Sequence, residues 1–208
     1  MTEIDTTTAN RYALRMQPGS ERILVEQAQG GNQAAFAQLV EGHSEKVIQL
    51  AWRLVGNRSE AEEISQEAFL RLFKSLASFR GDSSIGTWLY RTVSRLAIDH
   101  LRREKLKRKL FFFRSDTDEQ ADPLELAADT DSPYELLVAR QTAQQAQRLL
   151  NGLPARQKAV FVLRHQEGLP LKEIANMLDL SEGTVKAHLH RAVSQFRQEL
   201  LETKETVS

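Results

Sequence analysis

The chain has 208 residues, with 28 Lys or Arg against 28 Asp or Glu, and no Cys. That length accommodates two small domains or one large one, and the lack of Cys excludes disulfides, thiolate metal sites and thiol catalysis, which suits a reducing compartment. The formal net charge of zero conceals a segregation: residues 101–114 hold seven Lys/Arg and one Glu, whereas residues 115–139 hold eight Asp/Glu and no Lys/Arg. A basic block implies a polyanionic partner, and an acidic block repels that partner and must serve another contact. No apolar run approaches the roughly 20 residues of a membrane span, so the expectation is a soluble, cytoplasmic protein without membrane insertion.

Residues 1–20 are polar, lack the apolar core of a signal peptide, and read as a disordered tail. From there helical periodicity is nearly continuous and no alternating strand pattern occurs. Ser20 is placed to cap a first helix that stops at Gly30-Gly31, and Asn32 to cap a second that runs to about Leu54 and closes at Gly56-Asn57. Ser59 and Glu62 have the spacing of a capping box ahead of a third helix. After a break at 80–84 a fourth helix runs to about Arg103. Residues 106–133, rich in Asp, Thr and Ser with two prolines, read as an extended, mobile linker. Helical signals resume at Pro133 or Tyr134. Pro154 suits the first turn of a helix to about His165, and Pro170 opens another. Ser181 caps a last helix to about Leu201. The expected fold is all-α, with two small helical domains at 21–105 and 134–203 on a flexible acidic tether.

In the last helix Val185, Leu189, Ala192, Val193, Phe196 and Leu200 share one face, while Gly183, Lys186, Ala187, His190, Arg191 and Ser194 share the other. The short preceding helix buries Leu171, Ile174, Ala175 and Leu178. The "DLS" between them has the length of a helix-turn-helix turn. Such a motif lays its second helix in the major groove, where Lys and Arg donate to guanine edges or phosphates. His188 and His190, two positions apart on a helix, point about 200° from one another and form no chelating pair.

Residues 60–103, beginning "EAEEISQEAFLRLFKSL" and continuing through "RGDSSIGTWLYR", resemble the region-2 domain of an extracytoplasmic-function sigma factor of bacterial RNA polymerase. Residues 152–192, "GLPARQKAVFVLRHQEGLPLKEIANMLDLSEGTVKAHLHRA", are similar to that family's region-4 domain. The resemblance implies a chain that binds core polymerase, recognises and melts the −10 element with its first half, and reads the −35 element with its second. It also implies contacts with the β′ clamp helices and the β flap, an anti-sigma factor, and an acidic linker threading the polymerase cleft as a nucleic-acid mimic.

Residue by residue, the resemblance assigns Glu62, Glu63, Gln66, Glu67, Phe69 and Phe73 to the polymerase contact. A loop with Ser83, Ser84 and Ile85 would capture a flipped −10 base, where hydrogen bonds to the base edge must offset unstacking. Trp88, Arg91, Arg95, Arg102 and Arg103 would line the single-strand track, and Thr184, Lys186, Ala187, His190 and Arg191 would face the −35 groove. The chain departs from the common pattern at Ile85 and Arg95, where the family carries Phe and Asn. It departs again at Ala187-His188, where the family carries Ser-Arg, and at Asp179, in a turn position often held by Gly. Phe111, Phe112 and Phe113 fall outside the resemblance; exposed, they would need a partner or a fold-back contact.

Two other functions are weaker. A conventional helix-turn-helix regulator of the response-regulator type requires strand–helix alternation and clustered carboxylates in its first half, and neither appears. A hydrolase built on His43, His100 or His165 lacks ligand spacing among them or to a carboxylate. No enzymatic activity, metal or cofactor is expected.

Overall fold

The computed structural model describes residues 18–110 and 145–206. The tail up to residue 17, the acidic segment, Phe111-Phe112-Phe113 and the restart at Pro133 lie outside those residues. Among the described residues every regular element is helical, as expected: α1 (Pro18–Gln29), α2 (Gln33–Val55), α3 (Arg58–Ser75) with a 3₁₀ turn at Leu76–Ser78, and α4 (Ile85–Leu110). The second half contains α5 (145–152), then α6 (Ala155–Phe161), a π turn at Val162–Gln166, α7 (Leu171–Leu178) and α8 (Glu182–Thr206).

Several boundaries differ from the sequence expectation for local reasons. Ser20 lies inside α1, which begins at Pro18, a residue whose fixed φ suits a first helical turn. Asn32 does cap α2, accepting the Ala35 N–H at 3.1 Å, and Gly56 closes it with φ 82°. The cap of α3 is Asn57, which accepts the Glu60 N–H at 3.1 Å. Ser59 and Glu62 therefore form no capping box, and Glu62 pairs instead with Arg58 one turn back. Asn57→Ala is expected to cost about 1 kcal/mol and Ser59→Ala much less, which thermal unfolding of the two variants would distinguish. Helix α4 continues to Leu110, so residues 106–110 of the expected linker are helical. Asp179 ends α7 in the left-handed region, φ 56°, the conformation its place in the turn demanded.

The first half packs as a bundle around Leu39, Leu50, Leu54, Leu72, Leu89 and Val93, all fully buried. The second packs around Leu150, Val160, Leu163, Ile174, Val185 and Ala192. The two halves are not independent. Their buried side chains form one continuous core, and polar groups bridge the seam. Glu167, 2 % exposed, is released from the helix just after the π turn and reaches across to the first half. There it pairs with Arg53 of α2 and accepts the Tyr90 hydroxyl of α4 at 3.1 Å. Arg95 of α4 donates to the Met177 carbonyl, 3.2 Å away, in the second half. At Gly56, whose φ of 82° strains other residues, a Cβ would sit 2.8 Å from Asn151 Oδ1 and 3.0 Å from Gln147 Nε2 and would push these side-chain ends of α5 aside. Asn151 also accepts from Lys158 Nζ at 2.7 Å, inside the seam.

Candidate nucleic-acid interface

Helices α7 and α8 cross as a helix-turn-helix, and the start of α8 is built by Ser181. Its hydroxyl accepts the Thr184 N–H at 3.1 Å and lies 2.8 Å from Thr184 Oγ1. Thr184 is thereby half-buried and committed to the cap. Val185 and Ala192 are fully buried, and Leu189, Val193 and Phe196 partly so; the Leu200 side chain lies outside those described. Phe196 stacks on Phe161 at 5.3 Å between centroids, fixing α8 on α6. Lys186, Ala187, His190 and Arg191 are all exposed on one surface, with Gly183 and Ser194. Met177, buried in α7, was missed by the periodicity argument because it sits at the edge of the apolar stripe.

His188 is half-buried. Burial, and then the Arg191 and Arg156 guanidiniums beside it, hold its imidazole below the ordinary histidine range. It is therefore uncharged at neutral pH.

The start of α4 repeats the same cap. Ser84 Oγ accepts the Thr87 N–H at 3.1 Å and lies 3.0 Å from Thr87 Oγ1. Ser84 is exposed, and Ser83 beside it is half-buried. Ile85, expected at the base-capturing loop, is 1 % exposed. It belongs to the core and presents no surface to a base, because the first residue of α4 points inward from the cap. Trp88 is half-buried against the core. Arg91 is half-buried with its Nε enclosed and without a hydrogen-bond partner among the described residues. Arg95 is exposed and its Nε donates to the Met177 carbonyl, so in this arrangement one donor of the expected track is engaged by the second half. Arg102 and Arg103 are exposed, and Arg103 bonds back to the Asp99 carbonyl at 3.3 Å.

On α3, Glu63 and Gln66 are exposed, while Glu62 and Glu67 are each engaged by an arginine one turn away, Arg58 and Arg71. Phe69 packs on the core, whereas Phe73 is 58 % exposed and meets Phe36 edge-on at 5.1 Å. Leu70, 53 % exposed, joins this surface; sequence reasoning passed over it because its neighbours carry the charge.

Two of those histidines do find carboxylates, which spacing could not reveal. His43 Nε2 lies 3.4 Å from Glu21 and His100 Nε2 lies 2.9 Å from Glu60. Among the described residues no group of three or more His, Cys, Asp or Glu is placed to hold a metal ion.

Residues 39–107 match the family model described as Sigma-70 region 2, and residues 143–196 match Sigma-70, region 4. The chain is 34% identical over 176 residues to the ECF RNA polymerase sigma factor SigW of Bacillus subtilis, covering 85% of this chain and 94% of the relative. It is 32% identical to the ECF RNA polymerase sigma-E factor of Escherichia coli K12 over 177 residues, 83% of this chain and 90% of that one. Among solved structures it is similar to CnrH in complex with the cytosolic domain of CnrY, with a TM-score of 0.58 and 25% identity over 88% of this chain and 98% of that one.

Proposed function

Because this chain belongs to the extracytoplasmic-function family of RNA polymerase sigma factors, we propose that it divides promoter recognition between the surfaces described above. The chain binds core polymerase and directs promoter-specific initiation as a factor, with the polymerase supplying the chemistry. The first half recognises and melts the −10 element through the loop at Ser83-Ser84 and the face of α4 bearing Trp88, Arg91, Arg95, Arg102 and Arg103. The exposed strip of α3, with Glu63, Gln66 and Phe73, docks on the basic β′ clamp helices, and the second half meets the β flap. The protein works in the cytoplasm; among the described residues no helix is long and apolar enough to cross a membrane. An anti-sigma factor holding it inactive belongs to this reading, and the similar CnrH was solved bound to the cytosolic domain of CnrY.

The observation that carries the reading is the α8 surface: Lys186, His190 and Arg191 stand exposed together beyond a capped helix start whose opposite face is buried. A helix N-terminus with basic side chains on its open face suits a DNA groove. Run-off transcription with purified core polymerase on a promoter library tests it directly. Core polymerase that gains no promoter selectivity from this chain would refute it.

Arg191→Ala is expected to cost about 1–3 kcal/mol at the base pair Arg191 reads. Lys186→Ala, at a phosphate, should weaken all promoters alike and lower the salt-dependence slope by about one. Transcription from matched and −35-scrambled templates separates the two. Reversing the charge at Glu63 and Glu67 together should weaken core binding with helix content unchanged, because both carboxylates lie on the solvent side of α3; circular dichroism alongside a core titration measures both.

A further inference from the structure

Helix α1 lies N-terminal to the residues matched by the region-2 model, which begins at residue 39, and the function proposed above gives it no role. Two of its side chains nevertheless hold the segment that carries Ser83 and Ser84. Gln29, at its C-terminal end, donates to the Leu76 carbonyl at 3.0 Å and to the Phe79 carbonyl at 2.8 Å. Glu21, two turns earlier, accepts the N–H of Ile85 at 3.0 Å. Behind Glu21 stands His43, 2 % exposed, with Nε2 at 3.4 Å from its other carboxylate oxygen. One rigid helix therefore fastens the segment at both ends: where the chain leaves α3 and where it enters α4.

Between these anchors run Arg80, Gly81, Asp82, Ser83 and Ser84. Gly81 has φ 77°, a conformation that L side chains rarely adopt, and a Cβ there would meet nothing within 4 Å, so the shape of this stretch rests on that turn and on how its two ends are held. The Leu76 carbonyl already accepts the Phe79 N–H in the 3₁₀ turn at 3.0 Å and takes Gln29 as a second donor, but the Phe79 carbonyl and the Ile85 N–H lie outside the ladders of α3 and α4 and find side-chain partners. Left unmade, they would be satisfied by water in many loop geometries rather than in one.

The geometry points to Gln29 and Glu21 as positioning residues for −10 recognition: they set the loop shape that presents Ser83 and Ser84 to an unstacked base, without touching the base themselves. This rests on the reading of that loop as the −10 contact. Small pockets discriminate bases only when their polar groups are held in place before the base arrives.

The test uses holoenzyme reconstituted from core polymerase and the full chain. Its probe is a labelled single-stranded oligonucleotide carrying the −10 sequence that wild-type holoenzyme selects from a promoter library, with its single-base variants. Gln29→Ala and Glu21→Ala should each reduce discrimination between the selected base and its variants by about tenfold, with affinity for core polymerase unchanged. Glu21→Gln keeps an oxygen to accept the Ile85 N–H and should discriminate like wild type, a rescue that a role in bulk stability would not produce. Gln29 is exposed, so Gln29→Ala decides the matter even if Glu21→Ala fails to fold. If Ser83→Ala alters discrimination and Gln29→Ala does not, the loop reads the base but α1 does not position it, and the inference is wrong. If neither substitution alters it, the loop is not the −10 contact, and the underlying reading fails with it.

Discussion

Glu167→Ala is expected to loosen the two halves of the chain from one another. The carboxylate is almost fully buried and serves Arg53 on α2 and Tyr90 on α4 together. Its loss takes the carboxylate away from the half-buried Arg53 guanidinium and removes the acceptor of one Tyr90 hydrogen bond at the seam. Removing one partner of a buried ion pair costs about 3–5 kcal/mol. Arg53, 31% exposed, regains part of that from water, so about 2–3 kcal/mol is expected here. Glu167→Gln, which keeps acceptor capacity without charge, should fall between wild type and Ala. Urea unfolding gives the energy, and energy transfer between dyes on α3 and on the exposed face of α8 gives the separation of the halves. The opened variant should also bind single-stranded −10 oligonucleotides more readily, since Arg95 is released from the Met177 carbonyl. An unchanged midpoint together with an unchanged dye distance would show that Glu167 does not hold the seam.

Lys158→Met is expected to stabilise the chain and to flatten its pH dependence between about pH 7 and pH 10. Lys158 is 1% exposed, and its amine is pushed down to about 7, first by burial, with Glu60 acting in the opposite direction. In an unfolded chain the same amine titrates near 10.4. A depressed folded-state value means the unfolded chain binds more protons through this window. Stability owed to this group is therefore fully present above the unfolded value and is lost as pH falls towards about 7. Below that the burial penalty is complete, at most about 4–5 kcal/mol by linkage. Methionine has a similar length and no charge to desolvate, so about 2–4 kcal/mol of that should be recovered at neutral pH, less the lost bond to Asn151. The measurement is the difference in unfolding free energy between the two proteins across that range. A constant difference would show that Lys158 stays protonated inside the seam.

The sequence by itself determined the helices, because a 3.6-residue apolar period with Asn, Ser, Gly and Pro punctuation is a local signal that each segment carries alone. It determined the helix-turn-helix for the same reason, down to the left-handed Asp179 and the exposed side of Lys186, His190 and Arg191. The family could be read from its motifs, since those residues are contiguous in the chain. Helix starts were less legible, because Asn57 and Ser59 both suit a cap and only the direction of the incoming chain chooses between them.

Tertiary structure alone decided the rest. Arg95 was engaged by the second half because α4 packs against α7, a contact between segments far apart in the chain, and Ile85 turned inward at the start of α4, where Glu21 of α1 accepts its N–H. The pairs Glu21–His43, Glu60–His100 and Arg53–Glu167 join residues with no common spacing. Charge patterning registers neighbours along one helix, whereas these pairs depend on how separate helices are stacked. The seam followed from burial: Glu167 and Lys158 look like solvated surface residues in sequence, and became interior only when two apolar faces, each large enough to fold a half, closed on one another.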